Sequence, residues 1–149
     1  MVNVTTSTQL SVLFSTIRTS LLSSSTIAGY MTTQDFYQFD PNFKQVKYPH
    51  IQIELPSTDT DLLTMNHATT LKTFTIPIIL RVEFIAKDNH STIAQAIINQ
   101  LESDEATFDA LGYYDLSIDL VDTDGGVELD QKRVIISNFE LSFNGGIDR

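Results

Sequence analysis

The sequence predicts an α+β domain: one four-stranded antiparallel or mixed sheet with two main helices packed on one face, in the order α-β-β-α-(α)-β-β. Three observations carry this prediction. Two stretches place apolar residues at offsets of three and four, four stretches alternate apolar with polar residues, and the strands have hairpin-like connectivity. The 149 residues make one domain, large enough to bury most of its apolar surface without staples. No internal repeat divides it.

Within residues 5–23, Leu10, Leu13, Phe14, Ile17 and Leu21 line one helical face. The opposite face is Ser and Thr, whose hydroxyls compete for backbone groups, so this helix depends on docking against the sheet. The run at 23–26 reads as the helix exit. Residues 27–48 have no clean period but carry Tyr30, Phe36, Tyr37, Phe39, Phe43 and Tyr48. A connection longer than about 15 residues without structure is uncommon in a compact domain. The rings therefore either cover the domain's own core or meet another subunit. A short strand follows at 51–55, with Ile51, Ile53 and Leu55 facing one way and Gln52 and Glu54 the other; Pro49 and Pro56 mark its ends. Residues 57–70, with Asp59, Asp61, Asn66 and His67, read as an exposed polar loop.

The central strand is expected at 73–86, where Phe74, Ile76, Ile78, Leu80, Val82 and Phe84 share one face. Pro77 cannot donate to a ladder, which implies an edge, a bulge or a locally unpaired residue. After the polar break at 87–90, with Asp88 or Asn89 as N-cap, Ile93, Ala94, Ile97, Ile98 and Leu101 form the stripe of a second helix. A further helical turn from Asp104 carries Phe108 and Leu111, and Gly112 closes it in the left-handed region. In the strand at 113–121, Tyr114, Leu116, Ile118 and Leu120 oppose Asp115, Ser117 and Asp119. Asp-Gly and Gly-Gly within 122–126 predict the reversal, and a fourth strand at 132–143 puts Ile135, Phe139, Leu141 and Phe143 on one face. Val134 and Ile136 on its other face suggest a second contact surface or a bulge. Residues 144–149 read as a loose tail.

Composition narrows function. The formal charge of −10 opposes tight binding along a phosphate backbone, which relies on clustered cations, and also fits a well-solvated surface with no partner implied. The absence of cysteine removes disulfides, thiolate metal sites and a cysteine nucleophile. No apolar run approaches the roughly eighteen residues of a membrane span, and no signal-peptide pattern opens the chain, so a soluble, unprocessed protein is expected. The acidic run Asp119, Asp122, Asp124, Glu128 and Asp130 departs from the spacing of a calcium loop, because Gly126 stands where the third ligand belongs; a solvated hairpin tip is expected, with no metal or other cofactor. His50, His67 and His90 have no zinc spacing. No nucleophile elbow or phosphate loop appears, and no enzymatic activity is expected.

Three stretches resemble the tail terminator (tail completion) proteins of long-tailed bacterial and archaeal viruses. They are Tyr48-Pro49-His50-Ile51-Gln52-Ile53; the strand from Phe74 delivered through Ala86-Lys87-Asp88 into the helix at 93–101; and Leu101-Glu102-Ser103 through Leu111-Gly112 with the acidic hairpin after it. Together they span about two thirds of the chain in order, and the aromatic segment at 27–48 departs from the family's pattern. The resemblance implies a non-enzymatic virion ring, usually a homo-hexamer, assembled in the host cytoplasm. Such a ring caps the tail tube, meets the head's connector or neck proteins, and lets DNA pass through its lumen without specific binding. Six chains would carry roughly −60, a sign that suits such a lumen. On this reading Asp115, Asp119, Asp122, Asp124, Glu128 and Asp130 are candidates for lumen or tube contact. Pro77, Val134, Ile136 and the aromatic segment with Tyr37 and Phe39 are candidates for the ring seam. Ile79 and Arg81, on the second face of the central strand, would meet a neighbour or the channel. A neck or head-completion ring protein is the alternative within the virion, and a small α+β enzyme or calcium-binding module the alternative outside it.

Overall fold

The computed structural model describes residues 8–58, 62–63 and 69–148. In chain order its elements are α1 (Thr8–Leu22), α2 (Ser25–Ala28), β1 (Phe36–Tyr37), β2 (His50–Ile53), β3 (Ser57–Thr58), β4 (Leu62–Leu63), β5 (Thr69–Glu83), α3 (Asp88–Ser103), α4 (Glu105–Ala110), β6 (Tyr113–Leu129) and β7 (Lys132–Asp148). Five strands lie side by side in the order β1-β2-β5-β7-β6, and the two-residue strands β3 and β4 also pair with β5. Only β1 and β2 run parallel, so the sheet is mixed. The fold is α+β, as the patterning predicts. It has five strands abreast rather than four, and two short helices beside the two main ones.

The alternation of β5 builds the core. Phe74, Ile76, Ile78, Leu80 and Val82 are buried on one face, opposite Phe143, Leu141, Phe139, Ser137 and Ile135 of β7. Onto this face α1 brings Leu13, Ile17 and Leu21, α3 brings Ile93, Ala94, Ile97 and Leu101, and α4 brings Phe108, all in one apolar cluster. Phe74 stacks on Phe143 with centroids 5.3 Å apart, and Tyr113 meets Phe143 edge-on at 4.6 Å. Burying each such side chain is worth about 1.5–3 kcal/mol, so this face dominates stability. Polar groups lock the helices at their ends: the Ser20 hydroxyl donates to Asp104 at 2.6 Å, and the Gln100 amide donates to Asp104 at 3.0 Å and to Ser23 at 2.9 Å.

Pro77 sits in the middle strand, not at an edge, and local unpairing explains it. Its carbonyl accepts the Glu54 N–H at 3.0 Å, so its nitrogen faces the same side, where the chain passes from β2 to β3 and needs no donor. The strand ends earlier than its apolar run suggests, because Phe84–Ala86 turn into a 3-10 helix. Lys87, not Asp88 or Asn89, occupies the N-cap of α3; Asp88 falls in the first turn, where a carboxylate faces the helix's positive end. Gly112 takes φ 92° after α4, as its position predicts. Asp59, Asp61, Asn66 and His67 lie outside the described residues.

The β6–β7 hairpin departs most from expectation. β6 continues through 122–126, and Gly125 and Gly126 fall within a register shift between Asp124 and Val127. The reversal is at Asp130 and Gln131, with φ of 48° and 68°, between paired Leu129 and Lys132. A two-residue turn of this hand matches the twist of the strands and needs positive φ at both positions. Residues 144–148 are not a tail: they pair with β5 as far as Asp148 opposite Thr69. Gln131→Gly should therefore raise unfolding free energy by about 0.5–1 kcal/mol in urea titration, by relieving a left-handed non-glycine. Gly125→Ala should be neutral or slightly stabilising, since an added Cβ meets nothing within 4 Å. The opposite pattern would return the turn to the glycines.

Candidate functional site

The sheet's second face, turned away from α1 and α3, would ordinarily meet water. Its central charged residue does not. Arg81 of β5 is opposite His50 of β2 on one side and Ile136 of β7 on the other, and it is buried. Its Nη1 donates to Gln52 Oε1 at 2.8 Å and lies 3.3 Å from His50 Nε2. The Asp40 carboxylate stands 4.0 Å from Nη2, and the guanidinium lies over the Phe43 ring at 4.9 Å. The period of two that sends Ile51 and Ile53 into the core sends His50 and Gln52 to this face, where the guanidinium meets them.

Residues 38–49 close over this polar pair of strands. A turn at Asn42, whose carbonyl accepts from Gln45 and Val46 and whose side chain accepts from Lys44, folds the segment back so that Val46 is buried. Tyr37 meets the His50 ring edge-on at 5.5 Å, and Tyr48 lies against it at 5.0 Å. The Lys47 carbonyl is 2.9 Å from His50 Nδ1. A carbonyl only accepts, so Nδ1 carries the proton and Nε2 faces Arg81 as an acceptor. Burial, opposed by that carbonyl, pushes the His50 pKa down to about 4. Burial also lowers Arg81, with Asp40 acting against it, and raises Tyr48. The Tyr48 hydroxyl and Arg81 Nε are buried without a hydrogen-bond partner in the structure.

Beside this cluster the surface opens into a cleft of about 300 Å³ lined by Gln38, Phe39, Asp40, Gln52, Glu54 and Leu55. Gln52 Nε2 donates to both carboxylates, at 3.0 Å to Asp40 and 3.3 Å to Glu54, so the two converge on one amide. Phe39 and Leu55 are 65% and 56% exposed at its rim. Sequence reasoning missed this cleft and the cluster behind it. The available signal was the pairing of two alternations, His50-x-Gln52-x-Glu54 and Ile79-x-Arg81, which one register places side by side.

The sequence-predicted residues are scattered. Asp115, at φ 56° in the first irregularity of β6, accepts from Asn144 at 3.0 Å; Asp119 stands opposite Glu140; Asp122 accepts from Asn138 at 2.7 Å. Asp124 accepts the Gly126 N–H, Glu128 stands opposite Arg133, and Asp130 is in the turn. Among the described residues no three His, Asp or Glu side chains gather closely enough to hold a metal. Pro77 and Ile79 are half-buried on the second face, Ile136 is half-buried beside Arg81, and Val134 is fully buried opposite Glu83. Tyr37 is committed to His50, whereas Phe39 is free. His90 and Ser137 bond to each other, and Ser137 to Thr123 at 3.0 Å, but full burial of Ser137 keeps a substrate carbonyl away from its hydroxyl. No helix among the described residues is long and apolar enough to cross a membrane. Comparison of the chain with protein-family models and with curated protein sequences returns no match.

The buried imidazole makes stability depend on pH with a definite sign. A histidine whose folded pKa lies below its unfolded 6.5 costs nothing above 6.5, and stability falls as pH drops from 6.5 toward 4, where the unfolded chain takes the proton first. Between pH 7.5 and 5 the wild type should lose about 2 kcal/mol more unfolding free energy than His50→Gln. Equal losses in urea titrations of the two proteins would show that His50 is not held neutral.

Proposed function

We propose that the protein is a non-enzymatic, ring-forming virion subunit of the tail terminator type, which caps a tail tube and joins it to the head's connector. The reading begins in the resemblance carried by the stretches at 48–53, 74–101 and 101–112. What supports it most is how the surface is distributed. Apolar side chains are exposed in separate places, Phe39 and Leu55 beside β1 and β2, Leu120 and Val121 on the outer strand β6. Asp119 and Asp122 flank Leu120 and Val121 along β6, and Glu140 stands beside Asp119 on β7. Separated apolar patches on one chain suit heterologous contacts, in which one surface meets a different surface of the next copy and the rotation closes a ring.

The acidic sheet face suits a lumen. Roughly −60 on a ring of six repels the phosphate backbone, so DNA would slide past rather than bind. The same charge disfavours close approach of copies at low ionic strength, so assembly should strengthen as salt rises toward the physiological range. Tail tube and connector proteins are the remaining partners on this reading.

Light scattering behind gel filtration at high protein concentration should give a particle of about six chain masses, and immunogold electron microscopy should place the protein at the head-proximal end of the tail. A strict monomer across the concentration range, with label elsewhere in the particle or absent from it, would overturn the proposal.

A further inference from the structure

Asp124-Gly125 is a turn signal that the chain does not use, since it reverses at Asp130 and Gln131 instead. What remains at 124–126 is a reactive backbone. An aspartyl carboxyl followed by glycine is open to attack by the glycine's amide nitrogen, because no Cβ on the second residue blocks the approach. The fold leaves that approach clear. Asp124, Gly125 and Gly126 are exposed, and a Cβ added to Gly125 meets nothing within 4 Å. Asp124 is the last residue paired before a register shift, and pairing resumes at Val127, so three steps along β6 face two along β7 and the glycines are skipped. The Gly126 N–H donates to Asp124 Oδ1 at 3.2 Å, which folds the carboxyl forward alongside the Gly125 nitrogen rather than out into water.

The chain carries its own comparison. Asn144-Gly145 has the faster intrinsic chemistry, since a neutral amide is attacked more readily than an ionised carboxylate. Its side chain, however, is held at both ends: Oδ1 accepts from the Thr73 hydroxyl at 2.9 Å, and Nδ2 donates to Asp115 at 3.0 Å. Its backbone lies between Thr73 and Tyr114, and Gly145 is buried between Lys72 and Tyr113. The Gly145 nitrogen cannot reach a side chain pinned in this way unless two ladders open first.

We infer that Asp124 is a site of spontaneous covalent modification, isomerising to isoaspartate in the folded protein, and that the fold reverses the intrinsic order of the two dipeptides. The reaction needs only water. The Gly125 nitrogen bonds to Asp124 Cγ while its proton and the carboxyl hydroxyl leave together as water, giving a succinimide. Water then opens the ring. Cleavage between the nitrogen and Cγ restores aspartate; cleavage between the nitrogen and the main-chain carbonyl leaves the chain running through Cγ, with that former carbonyl as a free carboxylate. Charge is conserved and the main chain gains one methylene. The strand already holds more chain than its partner at this point, so the pairs on either side, Thr123 with Ser137 and Val127 with Val134, keep their register. The modification therefore ages the outer strand without unfolding it.

Parallel incubation of native protein and of the full chain unfolded in urea, both at neutral pH, tests this. Isoaspartyl carboxylates are counted by enzymatic methylation and located by fragmentation of the digested chain. The native protein should react at 124 about tenfold faster than at 144 or more, because protected ladders open rarely, whereas the unfolded chain should react first at 144. Gly125→Ala should slow the reaction at 124 about tenfold with no loss of unfolding free energy, since the added methyl blocks the nitrogen but touches nothing else. Incubation in heavy-oxygen water should place a label in the product at 124. Native protein that reacts at 144 before 124, that stays unmodified at 124 while the unfolded chain reacts there, or that reacts there no faster than Gly125→Ala, would each overturn the inference.

Discussion

A guanidinium cannot sit in a dry interface without acceptors, and Arg81 sits in one. Taking its charge from water costs several kcal/mol, which must be offset by Gln52, His50, Asp40 and the Phe43 ring. Those groups come from two places in sequence, β2 and the segment at 38–49. The requirement to satisfy one side chain thus explains why β2 alternates apolar with polar residues, why residues 38–49 fold back instead of extending, and why His50 is held as the neutral tautomer that accepts rather than donates. The other face of β5 needs no such device, since apolar helices cover it.

Much of this was legible in the sequence, and the boundary is physical. The faces of β5 and β7 and the stripes of α1 and α3 were legible because burial on one side writes a period into the residues, and Gly112 because only its conformation lets the chain leave α4. The hairpin turn was not. Asp-Gly-Gly is a strong local signal, but register with β7 left those residues inside the ladder and put the positive φ on Asp130 and Gln131, which carry no comparable mark. Nor was the role of 38–49: aromatic rings without a period indicate contact, and only the pairing of β2 with β5 says with what. The rings divide the two alternatives between them, since Phe36, Tyr37, Phe43 and Tyr48 serve the chain's own sheet and Phe39 faces out.

That division relocates the candidate assembly surface. Arg81, read from sequence as meeting a neighbouring copy or the channel, and Val134, read as part of the ring seam, are buried within their own chain. Among the described residues, apolar side chains remain uncovered on the Phe39–Leu55 rim, along β6, on α1 at Val12, at Tyr30, and at Ile85 just past the end of β5, and the outer strand is broken by register shifts at Asp115, Val121 and Gly125–Gly126. Irregularities and carboxylates on an edge strand discourage indiscriminate strand pairing. A subunit meant to form one closed ring needs both properties: patches that recognise each other, and an edge that recognises nothing else.

Arg81 ties residues 38–49 to the sheet through Asp40 and Phe43 and so shapes the cleft beside it. Native-state hydrogen exchange of wild type and Arg81→Met measures this most directly. The account predicts that Val46 and the β2 amides lose protection by a factor of about 10 or more in the variant, while Phe74–Val82 exchange as before. Unchanged protection at Val46 and β2 would contradict it and leave the buried guanidinium without a structural purpose.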